Sequence, residues 1–175
     1  MEKGLIHVYH GDGKGKTTAA VGLAIRAAGA QKQVIFAQFL KGSPTGELQS
    51  FEKLSNIRVL RSKEDLGFFK NMTPEEKEKS EKIHTEIMQQ IFSILEKESI
   101  DLVILDEITY PYEYDNVDRK LVEKLILQKP DNIELVITGR NPASLFLERA
   151  DYITEMKKIR HPFDKNIPAR CGVEY

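Results

Sequence analysis

An apolar stretch, Leu5-Ile6-His7-Val8-Tyr9, runs into the glycine-rich turn His10-Gly11-Asp12-Gly13-Lys14-Gly15-Lys16-Thr17-Thr18, and that turn opens an alanine-rich segment. This succession constrains the fold more than any other part of the chain. The apolar stretch predicts a short buried strand. Thr17 to Ala28 predicts a helix whose small residues (Ala19, Ala20, Gly22, Ala24, Ala27, Ala28) allow close packing, closed by Gly29. A strand, a glycine-rich turn ending in Gly-Lys-Thr and a helix form the phosphate cradle of P-loop nucleotide-binding proteins. Glycines let the backbone wrap phosphate oxygens, and the first N–H groups of the helix point at them unpaired. Lys16 adds a mobile charge, and the Thr17 hydroxyl can ligate a magnesium ion held by the same phosphates. The general pattern has glycine where this chain has His10. An ordinary tight turn is the plain alternative; the strand before and the helix after favour a nucleoside triphosphate.

The 175 residues suit a single domain spanning 1–175, and a net charge of −1 without a basic block argues against a dedicated nucleic-acid binder. No apolar run is long enough to span a bilayer, and Met1-Glu2-Lys3 lacks a secretory core. The single cysteine, Cys171, excludes a disulfide framework and a cysteine-rich zinc site, and is expected to be a buried or partly buried thiol. A cytoplasmic location is expected.

Strands and helices alternate down the chain, which predicts an α/β fold with a mainly parallel central sheet. Further strands are expected at Val34–Leu40, Ile57–Leu60, Leu102–Leu105, Ile133–Ile137 and Tyr152–Glu155. Thr73-Pro74-Glu75-Glu76 reads as a capping box opening a helix that buries Ile83, Ile87, Ile91, Ile94 and Leu95. Helices are also expected near Asp118–Leu127 and Ala143–Glu148. The tail from Lys157 reads as an extended segment over the domain.

Asp106-Glu107 ends a buried strand, where acids in open α/β sheets face the ligand crevice; a magnesium role is favoured over a solvated pair. Thr138-Gly139-Arg140 ends another strand, and Arg140 suits phosphate or ribose oxygens as well as it suits a surface turn. Phe68 and Phe69, in a polar loop, either tuck under the domain or cover a ligand. His161 reads as a structural hydrogen-bonding group, and His7, His10 and His84 show no metal-ligand spacing. Tyr110, Tyr112 and Tyr114 fit a flat substrate, a partly buried corner or a subunit contact.

Together these residues resemble the P-loop-type ATP:corrinoid adenosyltransferases, which adenosylate cobalamin precursors. The resemblance covers Gly4 to Tyr175 and rests on Gly11–Thr18, Gln38-Phe39-Leu40-Lys41-Gly42, Leu105-Asp106-Glu107-Ile108-Thr109-Tyr110 and Thr138-Gly139-Arg140. It extends to Ala150-Asp151 with Thr154-Glu155-Met156, Arg160-His161-Pro162-Phe163 and Gly172-Val173-Glu174-Tyr175. The family commonly has Asn where this chain has Asp12, and it does not use the first glycine of the general motif, so His10 fits.

The resemblance implies a three-layer RecA-like P-loop domain that moves the 5′-deoxyadenosyl group of ATP onto the Co(I) of a corrinoid and releases triphosphate, in cobalamin biosynthesis or salvage. ATP, bound in reverse relative to ordinary P-loop enzymes, would lie on Gly11, Asp12, Gly13, Lys14, Gly15, Lys16, Thr17, Thr18 and Arg140. Lys16, Glu107 and Arg140 would be catalytic, and Thr17 and Glu107 would hold Mg2+, which Mn2+ can replace. Gln38, Lys41, Phe68, Phe69 and His161 would meet the corrinoid. A reduced flavoprotein is the implied electron donor, and a homodimer the implied assembly; neither nucleic acid nor a membrane is implied. Longer members carry an N-terminal extension over the substrate and a tryptophan at the place of Phe68-Phe69. Here the first strand starts almost at Met1, so closure is expected to fall to Phe68, Phe69 or a second subunit. Two other readings compete: a small-molecule kinase or ATPase on the same fold, and a nucleotide-sensing module.

Overall fold

A computed structural model describes residues 3–64, 67 and 69–175. Phe68, one of the expected corrinoid contacts, lies outside the described residues. The strands are β1 (Ile6–His10), β2 (Val34–Gln38), β3 (Ile57–Arg61), β4 (Leu102–Asp106), β5 (Glu134–Thr138) and β6 (Tyr152–Glu155). The helices are α1 (Lys16–Gly29), α2 (Gly46–Phe51), α3 (Pro74–Leu95), α4 (Thr109–Glu113), α5 (Arg119–Gln128) and α6 (Ser144–Arg149). All six strands are parallel, in the order β3-β2-β4-β5-β1-β6.

Helices cover both faces of the sheet, so central strands are buried on both sides and read as unbroken apolar runs. Every residue of β2 and β4 is buried. On one face, Ala20, Ala24, Ala27 and Ala28 of α1 pack on Val34, Phe36, Leu102, Ile104 and Val136. Their spacing makes one stripe of a 3.6-residue helix, and their lack of bulk lets α1 sit close to the sheet, the volume coming from Phe36, Ile104 and Phe51. On the opposite face, α3, α5 and α6 supply Ile87, Met88, Ile91, Val122, Leu125, Ile126 and Phe146.

The capping box of α3 forms as expected: the Thr73 hydroxyl accepts from the Glu76 N–H, and the Glu76 carboxylate accepts from the Thr73 N–H. Of the α3 stripe, Ile87 and Ile91 are fully buried, while Ile83, Ile94 and Leu95 pack on the core's margin. Ser80 and His84, polar residues on the same helical stripe as Ile87 and Ile91, are buried with them. Cys171 departs from expectation, because it is exposed on a tail that carries no core residues. The tail itself is not simply extended; it holds a short 3-10 helix at Pro162–Lys165 and a turn in which the Gly172 N–H donates to the Tyr175 carbonyl (2.6 Å). β6 lies at the sheet edge with all its residues exposed. Among the described residues, no helix is long and apolar enough to cross a membrane.

Candidate functional site

The strand order sets the site. β5 lies between β1 and β4, so the ends of these three strands meet beneath one loop, Gly11 to Gly15. Gly11 (φ 109) and Gly15 (φ 123) adopt the left-handed backbone that wraps the loop around an anion. Helix α1 begins at Lys16 with no side-chain cap and no acid in its first turn, which leaves its N–H groups and dipole open to negative charge. Lys16 is buried, and its ammonium donates to the Gly11 and Gly13 carbonyls (both 2.9 Å), holding the loop in shape. Burial lowers the pKa of Lys16, with Arg140 adding to the effect and Glu107 opposing it. The negative charge of an arriving triphosphate would oppose that lowering and favour the charged form.

Asp106 ends β4 at 0% exposure. Its Oδ1 accepts from the Thr17 hydroxyl (2.8 Å) and from the Thr138 hydroxyl (2.7 Å), and its Oδ2 from the Lys41 ammonium (3.1 Å). Lys41 also donates to Thr17 Oγ1 (3.4 Å). A cation therefore rests between a P-loop hydroxyl and a carboxylate, and the donor set fits a divalent ion on the same two oxygens. Glu107, the next residue, sits at φ 62, its N–H donating to Thr138 Oγ1 (2.9 Å). Burial and the neighbouring Asp106 push its carboxyl above the usual glutamate range, while Lys16, Lys41 and Arg140 pull the other way.

These groups open onto one cleft of about 1160 Å³, lined by the loop from Asp12 to Thr18, by Lys41, Glu107, Arg140 and His161, and by the chain's last residues. The Lys14 ammonium donates to the Val173 carbonyl (2.9 Å), which brings the tail to the cleft's edge. Asp12 Oδ1 accepts from the Lys158 N–H (3.0 Å), and that bond lowers the Asp12 pKa.

Of the expected corrinoid contacts among the described residues, Lys41 and His161 line this cleft, whereas Gln38 and Phe69 do not. His161 lines the cleft, its Nδ1 accepting from the Phe163 N–H (3.2 Å). Phe69 instead packs on Tyr114 (5.4 Å between ring centroids) and Tyr110 (6.4 Å), forming an aromatic surface with them. Tyr112 turns inward, against Phe146 and Glu123. Gln38 is fully buried and donates to Glu47 Oε1 (2.8 Å). Lys41 reaches Asp106 rather than an aromatic surface.

Sequence reasoning passed over Thr138 and Asp106 as individual ligands. In a strand buried on both faces, no alternation tells which acid of Asp106-Glu107 turns toward Thr17. Lys41, an expected corrinoid contact, here meets Asp106 and Thr17 instead, and His84 carries no local signal for its role, since its partners Leu40 and Asn116 lie far away in the chain.

The family described as ATP:corrinoid adenosyltransferase BtuR/CobO/CobP matches residues 2–175. A corrinoid adenosyltransferase of Escherichia coli K12 is 35% identical over 99% of this chain and 87% of its own length. The corrinoid adenosyltransferase CobA of Salmonella typhimurium LT2 is 34% identical over 99% of this chain and 87% of its own. Among solved structures, the KaiC-like protein PH0186 of Pyrococcus horikoshii OT3 aligns with a TM-score of 0.55 at 13% identity, over 91% of this chain and 76% of that one. ATPases 2 and 3 of EssC from Geobacillus thermodenitrificans align at 0.53 and 17%, over 98% of this chain and 35% of that one. At such low identity these two speak for the fold alone, a RecA-like P-loop domain. With the phosphate loop, the Thr17–Asp106 pairing and a match along virtually its whole length, this chain belongs to the ATP:corrinoid adenosyltransferase family.

Proposed function

We propose that this protein transfers the 5′-deoxyadenosyl group of ATP to the Co(I) centre of a corrinoid and releases inorganic triphosphate. The observation that carries the reading is one cleft in which an uncapped helix N-terminus, Lys14, Lys16 and Arg140 face a common volume, in a chain of this family. A Co(I) corrinoid is a strong enough nucleophile to need no protein base. The cobalt–carbon bond forms as the C5′–oxygen bond breaks, and the electron pair leaves on triphosphate. The chain's task is then to stabilise that growing charge and to align cobalt with carbon. The loop N–H groups, Lys16 and Arg140 serve the first need. Thr17 and Asp106, with Glu107 beside them, would hold a magnesium ion, which when bound neutralises part of the triphosphate charge.

Phe69, with Tyr110 and Tyr114, offers an aromatic cluster for the corrinoid, with His161 at the cleft and Phe68 as the further contact that the family resemblance implies, while Gln38, fully buried on Glu47, serves from beneath the site. A reduced flavoprotein would supply the electron that makes Co(I). A second copy of the chain would cover the exposed apolar side chains of β6 and the tail, among them Ile153, Ile159 and Phe163.

Phosphorus NMR of a completed reaction with ATP, magnesium and chemically reduced corrinoid tests the reading. Triphosphate and adenosylated corrinoid are expected in equal amounts. ADP formed without corrinoid as the main product would overturn the reading in favour of a kinase or ATPase.

A further inference from the structure

The turn after β2 is held by an unusual support. Leu40 adopts φ 63, a left-handed conformation that a leucine takes only under constraint. Its N–H donates to Nε2 of His84 (3.3 Å), a histidine of α3 at 0% exposure. The other ring nitrogen, Nδ1, faces the Asn116 carbonyl (2.8 Å), which can only accept, so the proton is on Nδ1 and Nε2 is free to receive the Leu40 N–H. Asn116 is fixed in turn by the Ser80 hydroxyl (2.7 Å) and by its own amide on the Lys77 carbonyl (3.1 Å). The Phe39 ring lies against His84, and the Phe39 N–H donates to the Asp106 carbonyl (2.9 Å). Leu40 is followed directly by Lys41, whose ammonium rests on Asp106 Oδ2 and Thr17 Oγ1. The ion pair is asymmetric: the Asp106 side chain is at 0% exposure and that of Lys41 at 30%, so the lysine has room to leave.

We propose that Lys41 is a cation of the triphosphate site, holding the metal-binding oxygens of the free protein until a metal ion displaces it toward the phosphates, and that His84 is the positioning residue that delivers it. Without the His84 acceptor, the partly buried Leu40 N–H loses its partner and the left-handed turn loses its support. Lys41 then samples many positions instead of one. The inference rests on the nucleotide reading above. Failure of that reading would appear as no triphosphate binding by the unmodified protein, whereas failure of this inference leaves that binding intact and the variants equal to it.

Two probes test it without corrinoid chemistry: inorganic triphosphate, titrated calorimetrically in the presence of a chelator, and Mn2+ alone, followed by paramagnetic resonance. Lys41→Met should weaken metal-free triphosphate binding about fivefold, the size of one partly exposed charge contact. It should tighten Mn2+ binding to the free protein by a similar factor, because Asp106 loses its resident cation. His84→Leu should reproduce both changes, and the His84→Leu/Lys41→Met double variant should be no worse than Lys41→Met alone. His84→Gln, whose amide can still accept the Leu40 N–H, should bind both probes as the unmodified protein does. Unchanged Mn2+ and triphosphate affinities in Lys41→Met would remove that residue from the site. Additive losses in the double variant, or a loss in His84→Gln as large as in Lys41→Met, would overturn the positioning role, and the His84→Gln result decides this even if His84→Leu does not fold.

Discussion

Replacing Gly13 with alanine should detach the phosphate loop from the strand that braces it. The Gly13 N–H donates to the Met156 carbonyl (2.6 Å), and the Met156 N–H donates to the His10 carbonyl (2.7 Å), so the loop is laced to the chain leaving β6. A Cβ on Gly13 would fall 2.5 Å from the Met156 carbonyl oxygen and 2.9 Å from the carbonyl carbons of Met156 and Lys157. These are backbone atoms, which cannot swing aside as a side-chain tip would. Restoring even the 3.0 Å limit of real contacts moves the loop by half an ångström or more, at the expense of the hydrogen bond that anchors it. Overpacking of this kind costs about 1–3 kcal/mol of stability. Misplaced N–H groups should weaken triphosphate binding about tenfold to a hundredfold. Gly22→Ala is the matched control: it lies on α1 with nothing within 4 Å of the added carbon. It should raise stability by about 0.5–1 kcal/mol and leave binding alone. Urea unfolding and calorimetric titration with inorganic triphosphate measure both quantities. Unmodified affinity in Gly13→Ala would refute the idea that the Met156 contact sets the loop's geometry.

Lys16→Ala should lower adenosyl transfer about a hundredfold or more with the far-ultraviolet circular dichroism unchanged, and near-normal turnover would remove Lys16 from the leaving-group site. For Glu107, burial and Asp106 raise the folded pKa above the ordinary value, so holding the ionised form costs stability above that raised pKa. The cost is relieved as pH falls through the folded pKa toward the unfolded value. Glu107→Gln should therefore melt higher than the unmodified protein near neutral pH, with the two Tm values converging in acid; a constant offset across the range would refute the assignment. Thr73→Ala should cost about 1 kcal/mol in urea unfolding, through loss of the α3 capping box, and no change would mean that the helix start contributes nothing to stability.

The order of elements could be read from the residues, because each signal is local. Glycines between an apolar run and an alanine stripe, a threonine cap with glutamate three positions on, and unbroken apolar strands need only a few neighbours to declare themselves. Helices α2 and α4 escaped that reading. Each is short, and Thr109–Glu113 holds a proline and two tyrosines, residues whose intrinsic preference for a helix is poor. Packing of Tyr112 against Phe146 decides that segment instead.

The site divides along the same line. Local pattern in the chain marks a phosphate loop with its lysine and threonine, and marks acids and an arginine at nearby strand ends, since strand ends converge on one edge of any parallel sheet. Which partners meet depends on the folded arrangement: Thr17 with Asp106, Lys41 on both, Thr138 between Asp106 and Glu107, and His84 beneath Leu40. These pairs are separated by many residues and are made by strand order, which sets β4 between β2 and β5, and by the packing of α3 beneath the turn after β2. Hydrogen bonds a few ångströms long depend on that order and on side-chain direction, neither of which leaves a periodic trace in the chain.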